Sequence, residues 1–201
     1  MLFLRKPSRS VLEAFLSRQR DAPFSYALHG CTAAPEAPPG YVRDHLRIEL
    51  GNGSADFQTA RTAICDWKMF DLGWTAVVDP NLPLVAEREV GVLARVAGIW
   101  TLSACRIVEV FDAPGRRFGF AYGTLATHPV RGEERFLVEL DSAGRVWFDL
   151  IAVSRPRRWA LRVARPVVRI LQRRFRRGAG IAMQQAVHPG AQRAQGRTRP
   201  S

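Results

Sequence analysis

A chain of 201 residues, 47% of them hydrophobic, can bury a sizeable core in one domain, which excludes a largely disordered protein. The formal charge of +12 is unevenly placed: thirteen arginines and no Asp or Glu fall between Ile151 and Ser201, so residues 1–150 sum to 12 − 13 = −1. The body is neutral and the C-terminal part is a cation.

Ser10 and Glu13 have capping-box spacing, and Leu12, Phe15 and Leu16 share a face, which predicts a short helix over residues 10–20 that covers a sheet. PFSYALHG reads as extended and TAAPEAPPG as a loop. Tyr41 to Leu50 alternates loosely as a strand before GNGS turns the chain. From Ala55 to Phe70 apolar residues recur every three to four positions, a helix capped by Ser54 and ended by Gly73. WTAVVDP, Arg88–Val96, Leu102–Phe111, Phe118–Leu125, Glu133–Leu140 and Arg145–Ser154 read as strands separated by turn residues. A meander of about five to six antiparallel strands cannot bury its concave face alone, and residues 156–177 are the long amphipathic helix expected to cover it.

The run FGFAYGTLATHPVRGEERF concentrates the ionisable and aromatic residues. Phe118, Phe120, Tyr122 and Thr124 alternate with small residues, and Gly119 and Gly123, four apart, suggest a bulge or a close neighbour on that face. His128, Glu133, Glu134 and Tyr122 converge at one end of this hairpin, either as loop-fixing, ion-paired groups or as acid–base chemistry. The enzyme reading takes Glu134 or His128 as general base with Tyr122 or Asp149 as partner. Against it, the sequence lacks a nucleophile elbow and a phosphate-cradling glycine loop. A Glu134–Arg106 pair would also hold that carboxylate too acidic to act as a base.

On a helical wheel Arg158, Arg162, Arg165, Arg169, Arg173 and Arg176 occupy one arc, with apolar residues opposite. Pro166 is expected to kink or split this helix. An uncompensated cationic stripe repels itself and suggests an anionic neighbour, such as a phospholipid surface or acids of another chain. No recognition module or row of stacking aromatics accompanies it, which argues against nucleic acid. Cys31, Cys65 and Cys105 share no metal-ligand spacing with the four histidines, so they read as reduced, mostly buried thiols, with no metal and no cofactor expected. No apolar run reaches the ~18 residues of a spanning helix. The expected location is cytoplasmic or peripheral at a membrane surface, with an organelle-targeting reading of SRSVLEAFLSRQR left open. Oligomeric state is left open as well.

PFSYALHG, PPGY, ADFQTARTAICDWKMFDLGW, the Cys105–Val108 strand, RFGFAYGTLATHPVRGEERF, VWFDLIAVSRP, Pro166 and Gln172 together resemble uncharacterised protein family 0548, a domain of unknown function, from about Pro23 to Phe175. That family is similar to the START-like, helix-grip superfamily (SRPBCC). The resemblance implies an α+β fold in which a curved antiparallel β-sheet wraps a long C-terminal helix around a cavity. It brings no reaction, because relatives of that superfamily include lipid carriers, hydrophobic-ligand binders and a few cyclases. The chain then divides into an N-terminal helical extension (1–22), a helix-grip domain (23–177) and a basic, flexible tail (178–201). The leading expectation is a non-catalytic module holding a small hydrophobic or amphipathic ligand. Its walls would come from Trp67, Phe70, Trp74, Phe120, Tyr122, Phe136, Trp147 and Phe148, and its polar contacts from Arg106, Tyr122, Thr124, His128 and Glu134. A filled core with no cavity is the competing expectation.

Overall fold

A computed structural model describes residues 1–156 and 165–190. In chain order they form β1 (Leu2–Phe3), α1 (Arg9–Ser17), β2 (Val42–Asn52), α2 (Gly53–Cys65), a 3-10 turn (Lys68–Phe70), β3 (Thr75–Val77), β4 (Glu89–Val96), β5 (Ile99–Ala113), β6 (Arg117–Thr124), β7 (Val130–Leu140), β8 (Arg145–Pro156) and α3 (Arg165–Val187). The strands make one antiparallel sheet in the order β2-β8-β7-β6-β5-β4-β3, with β1 added against β5. β3 to β8 run as a meander, while β2 lies beside β8 at the far edge. The chain must therefore cross back from β2 to β3, and α2 and the 3-10 turn make that crossing over the inner face.

Strand alternation divides the residues between two faces. Phe118, Phe120 and Tyr122 of β6, Phe136 and Val138 of β7, Phe148 and Leu150 of β8 and Leu50 of β2 point inward to one core with Phe57, Ile64, Trp67, Met69 and Phe70. The inner face is covered by three pieces, α2, the 3-10 turn and α3. α3 packs on β2 and β8 as the helix-grip expectation requires, and α2 shares the cover, packing on β7, β2, β8 and β6. Trp67 adopts a left-handed backbone (φ 56°) between α2 and the 3-10 turn, ending the predicted 55–70 helix early and turning Met69 and Phe70 into the core.

α3 is described from Arg165 to Val187, so the kink or split expected at Pro166 falls where the described residues begin and is not tested by them. Residues 157–164 of the expected helix lie outside the described residues. The helix continues to Val187 instead of giving way to a flexible tail at 178, because Ala179, Met183 and Val187 are buried. Its small residues are contact points: Gly178 faces Leu72, and a Cβ at Gly180 would stand 2.9 Å from the Ile48 side chain.

The N-terminal helix packs on the sheet, in the covering role expected of it. Leu12 and Phe15 of α1 share an outer-face cluster with Leu93, Leu102, Ala104 and Leu125. Ser8, without a side-chain cap, precedes α1, and Glu13 pairs with Arg9 in place of the expected capping box. PFSYALHG makes a single bridge, Phe24 to Leu125, and otherwise loops over the outer face, where Tyr26, Cys31, Ala37 and Tyr41 cover Ile151 and Val153.

Candidate functional site

Tyr122 and Glu134 face each other across β6 and β7 on the inner face, and the phenol donates to the Glu134 carboxylate at 2.6 Å. Loss of hydration pushes the Glu134 carboxyl above its ordinary value, against the opposing pull of the Tyr122 hydrogen bond and of Arg176. Burial and the nearby Glu134 raise the phenol as well. Asp44 of β2, also inward, is held by both guanidinium nitrogens of Arg169, Nη2 at 2.7 Å, and by Arg176 at 3.0 Å. Arg169 also donates to Gln172 at 3.2 Å, whose amide donates to the Ser154 hydroxyl at 3.0 Å. Asp44 raises the pKa of Arg169 through its hydrogen bond. Desolvation lowers that of Arg176. The result is a polar cluster between the β2-β8-β7 end of the sheet and the first half of α3. It sets two guanidinium ions beside the Asp44 carboxylate and a second acid, Glu134, whose charged form is disfavoured by burial.

Beside this cluster the expected wall residues form a packed aromatic centre. Phe136 lies 5.2 Å from Phe120, 5.6 Å from Phe70 and 5.6 Å from Tyr122 between ring centroids, and Phe175 of α3 closes over Phe70 at 5.3 Å. Trp67 packs on Phe120 at 4.9 Å and donates to the Leu82 carbonyl, and Phe148 is fully buried. Two surface concavities, of about 390 and 370 Å3, lie elsewhere, one beside Gln58, Thr62 and Ala186 and the other beside Arg20, Glu87 and Arg106.

Several predicted site residues belong to neither group. Trp147 faces outward between the guanidinium groups of Arg47 and Arg145, each 5.1 Å from its ring. Alternation places it opposite Phe148. Trp74 is half-buried under Arg174 at 4.8 Å. Arg106 points to the outer side, where it donates to the carbonyls of Gln19 and Arg20 and pairs with Glu89 at 3.3 Å, so the anticipated Arg106–Glu134 pair does not form. Thr124 exchanges hydrogen bonds with the Gly132 backbone. His128 accepts from the Val130 N–H at 3.1 Å, and desolvation pushes its imidazole down to about 4, so it is a neutral loop brace with no hydrogen bond to Glu134. Asp149, the other suggested partner of a base, is on the outer face with His45 at 2.9 Å and Arg47 at 3.0 Å. Burial would raise it, but these hydrogen bonds and Arg135 together lower its pKa.

The arginine stripe divides in a similar way. Arg169 and Arg176 turn inward to Asp44, whereas Arg173 is exposed. Arg158, Arg162 and the Arg165 side chain lie outside the described residues. Asp44 was missed in the sequence although a signal existed: in VRDHLRIEL it shares strand parity with Leu46, Ile48 and Leu50, an acid on the apolar side. No cluster of three or more potential metal ligands occurs among the described residues, and no helix there is long and apolar enough to cross a membrane.

The backbone resembles solved helix-grip structures. One is a hypothetical protein from Helicobacter pylori, at TM-score 0.52 and 12% identity, over 83% of this chain and 98% of that one. Another is the Zhui aromatase/cyclase of a Streptomyces species, at TM-score 0.50 and 16% identity, over 75% and 94%. At such identities the likeness concerns the fold. Sequence relatives are nearer: UPF0548 proteins from Dictyostelium discoideum, 34% identical over 87% of this chain and 90% of that one, and from Deinococcus radiodurans, 36% identical over 87% and 92%. With a family model matching residues 25–182 as well, the chain belongs to the family described as Domain of unknown function (DUF1990).

Proposed function

We propose that this protein is a non-catalytic binding module that takes a small hydrophobic or amphipathic molecule between the sheet and α3, oriented by the polar cluster. The observation that carries this reading is the grouping of Asp44, Arg169, Arg176, Tyr122 and Glu134 on the inner side, against an otherwise apolar core. A core built only for stability is rarely improved by buried ion pairs, since their desolvation offsets most of their attraction. The aromatic centre supplies apolar contact and the cluster supplies donors, the combination a ligand with one polar end requires. Because the centre is filled by rings, the guest enters from the polar end and displaces α3 or Phe175 as it does so. Native mass spectrometry of the full chain is the test. A small-molecule adduct is expected that disappears on denaturation and is depleted in Arg176→Gln. The reading fails if no adduct is found and no fatty acid or aromatic carboxylate raises the Tm.

A second reading is supported by the solvent side of α3. Val167, Ile170 and Ile181 are exposed there (56%, 62% and 45%), together with exposed Arg173, Arg174 and Arg177 and no acidic residue on the helix. Exposed apolar groups interleaved with cations suit the interface of an anionic bilayer, where each basic residue contributes about 1 kcal/mol. Vesicles containing phosphatidylserine should bind the wild type and release it as salt rises. Equal binding by Arg173→Gln/Arg174→Gln/Arg177→Gln would eliminate the reading.

A further inference from the structure

The outer face at the same end of the sheet carries a second group of arginines that neither the fold nor the inner cluster uses. Arg131 of β7 and Arg155 of β8 are direct cross-strand partners, and Arg43 of β2, opposite Val153, is one diagonal step from Arg155. Like charges directly opposite one another destabilise a ladder, with Cβ atoms only about 5 Å apart. All three side chains are half-buried beside the loop that covers Ile151 and Val153. The Arg155 guanidinium carbon lies 4.7 Å from the Tyr41 ring centroid, a cation–π contact that restrains it. The Nε atoms of Arg43 and Arg131 are buried without a hydrogen-bond partner among the described residues.

The neighbouring acids do not neutralise this group. Glu133, on the same face, is consumed by Tyr26, Gly30 and Thr32, and Asp149 by His45 and Arg47. Glu36, in the covering loop, is exposed and makes no ion pair among the described residues. Residues 157–164 and 191–201 contain no Asp or Glu, so no acidic side chain outside the described residues completes the site. Three guanidinium groups on adjacent strands, one of them restrained by an aromatic ring, supply the positive charge and forked donors that a phosphate group takes.

We infer that Arg43, Arg131 and Arg155 form a binding site for a phosphate group on the outer face of β2, β8 and β7, opposite the inner cluster. The site is independent of whatever binds beneath α3. The phosphate belongs either to a soluble molecule or to a lipid headgroup.

Titration of the full chain with inorganic phosphate in phosphate-free, low-salt buffer, followed by calorimetry and Tm, tests it. The wild type should bind phosphate in preference to chloride, with Tm rising as phosphate is added. Arg131→Gln/Arg155→Gln should weaken binding about tenfold or more, since both forks are removed. It should do so at an unchanged or higher Tm without phosphate, because a like-charge pair is relieved. Arg18→Gln/Arg116→Gln, at exposed arginines away from the site, should bind phosphate as the wild type does. A parallel arm uses phosphatidylcholine vesicles with phosphatidic acid in an Arg173→Gln/Arg174→Gln/Arg177→Gln background: binding that falls further on adding Arg131→Gln/Arg155→Gln, without affinity for free phosphate, assigns the group to a lipid headgroup. The inference is overturned if neither probe distinguishes the double variant from its parent chain, or if the wild type binds neither.

Discussion

Glu133 and Glu134 are adjacent in sequence, on opposite sides of one strand, and have opposite circumstances. Glu133, 1% exposed on the outer face, accepts from the Tyr26 hydroxyl, the Thr32 hydroxyl and the backbone N–H groups of Gly30 and Thr32. It latches the 24–41 loop to the sheet. Glu134, on the inner face, has the Tyr122 phenol as its hydrogen-bond donor, and desolvation raises its pKa. A carboxylate saturated by donors is structural, whereas one whose charge is poorly compensated retains capacity for another partner. The same division holds along β8, where inward Phe148 and Leu150 belong to the core and outward Trp147 and Asp149 to arginine-rich networks.

The contrast predicts that the inner centre behaves as packed core. Phe136→Ala, in contact with four rings, should cost ~3–5 kcal/mol, a Tm loss of about 10 °C for a chain of this size. A loss below 1 kcal/mol by denaturant titration would show that the rings line a hollow. On the outer side Glu133→Ala leaves four donors without their acceptor and should cost about 3 kcal/mol. Its signature is early proteolysis within residues 24–41, and a variant that resists protease like the wild type refutes the latch.

These two faces were unequally legible. The strands and the division of Phe118–Tyr122 from Gly119–Gly123 follow from period-two patterning, the family from its motifs, and Gly123 does mark a close neighbour: a Cβ there would run into the Tyr26 ring, its Cε1 at 2.7 Å. The absolute direction of a strand is harder, because Trp147 and Phe148 are both large and aromatic, and only contact with Arg47 and Arg145 shows which one is outside. α3 misled for the same reason. Arginine looks like a surface residue, yet Arg169 and Arg176 are drawn inward by a single carboxylate, Asp44, 125 residues before Arg169, while Ile170 is left 62% exposed. Strand parity could have put Asp44 on the apolar side of β2, but which arginines of a helix 125 residues away it pairs with leaves no local periodic trace.

Where the faces meet, the loop after β6 gives a pH test of the contrast. His128 has its imidazole at about 4 in the folded protein, below the ordinary 6.5. Between those values the unfolded chain binds the extra proton, so stability falls as pH drops from 6.5 to 4, by up to ~3 kcal/mol. His128→Asn, whose amide oxygen can still accept from Val130, should lose less over this window in urea titrations. If wild type and variant decline in parallel, His128 is not a neutral brace.

The smallest effect distinguishes the two faces most directly, because their acids move in opposite senses. Asp149, lowered by its outer-face partners, contributes stability above the ordinary carboxylate range that is lost as pH falls through its folded value. Glu134 is raised: its folded state is unpenalised below the ordinary carboxylate value, and stability is lost as pH climbs from there through the raised value. Tyr122→Phe removes the phenol that partly offsets this rise. It should therefore cost roughly 1–2 kcal/mol near neutrality and little in acid, where Glu134 is protonated in both states. Glu134→Gln should abolish the decline, because an amide accepts the Tyr122 hydrogen bond without a charge to desolvate. If Tyr122→Phe costs the same at pH 4 as at pH 8, Glu134 carries no strained charge, and the polar cluster is a fully compensated structural network like the one around Glu133.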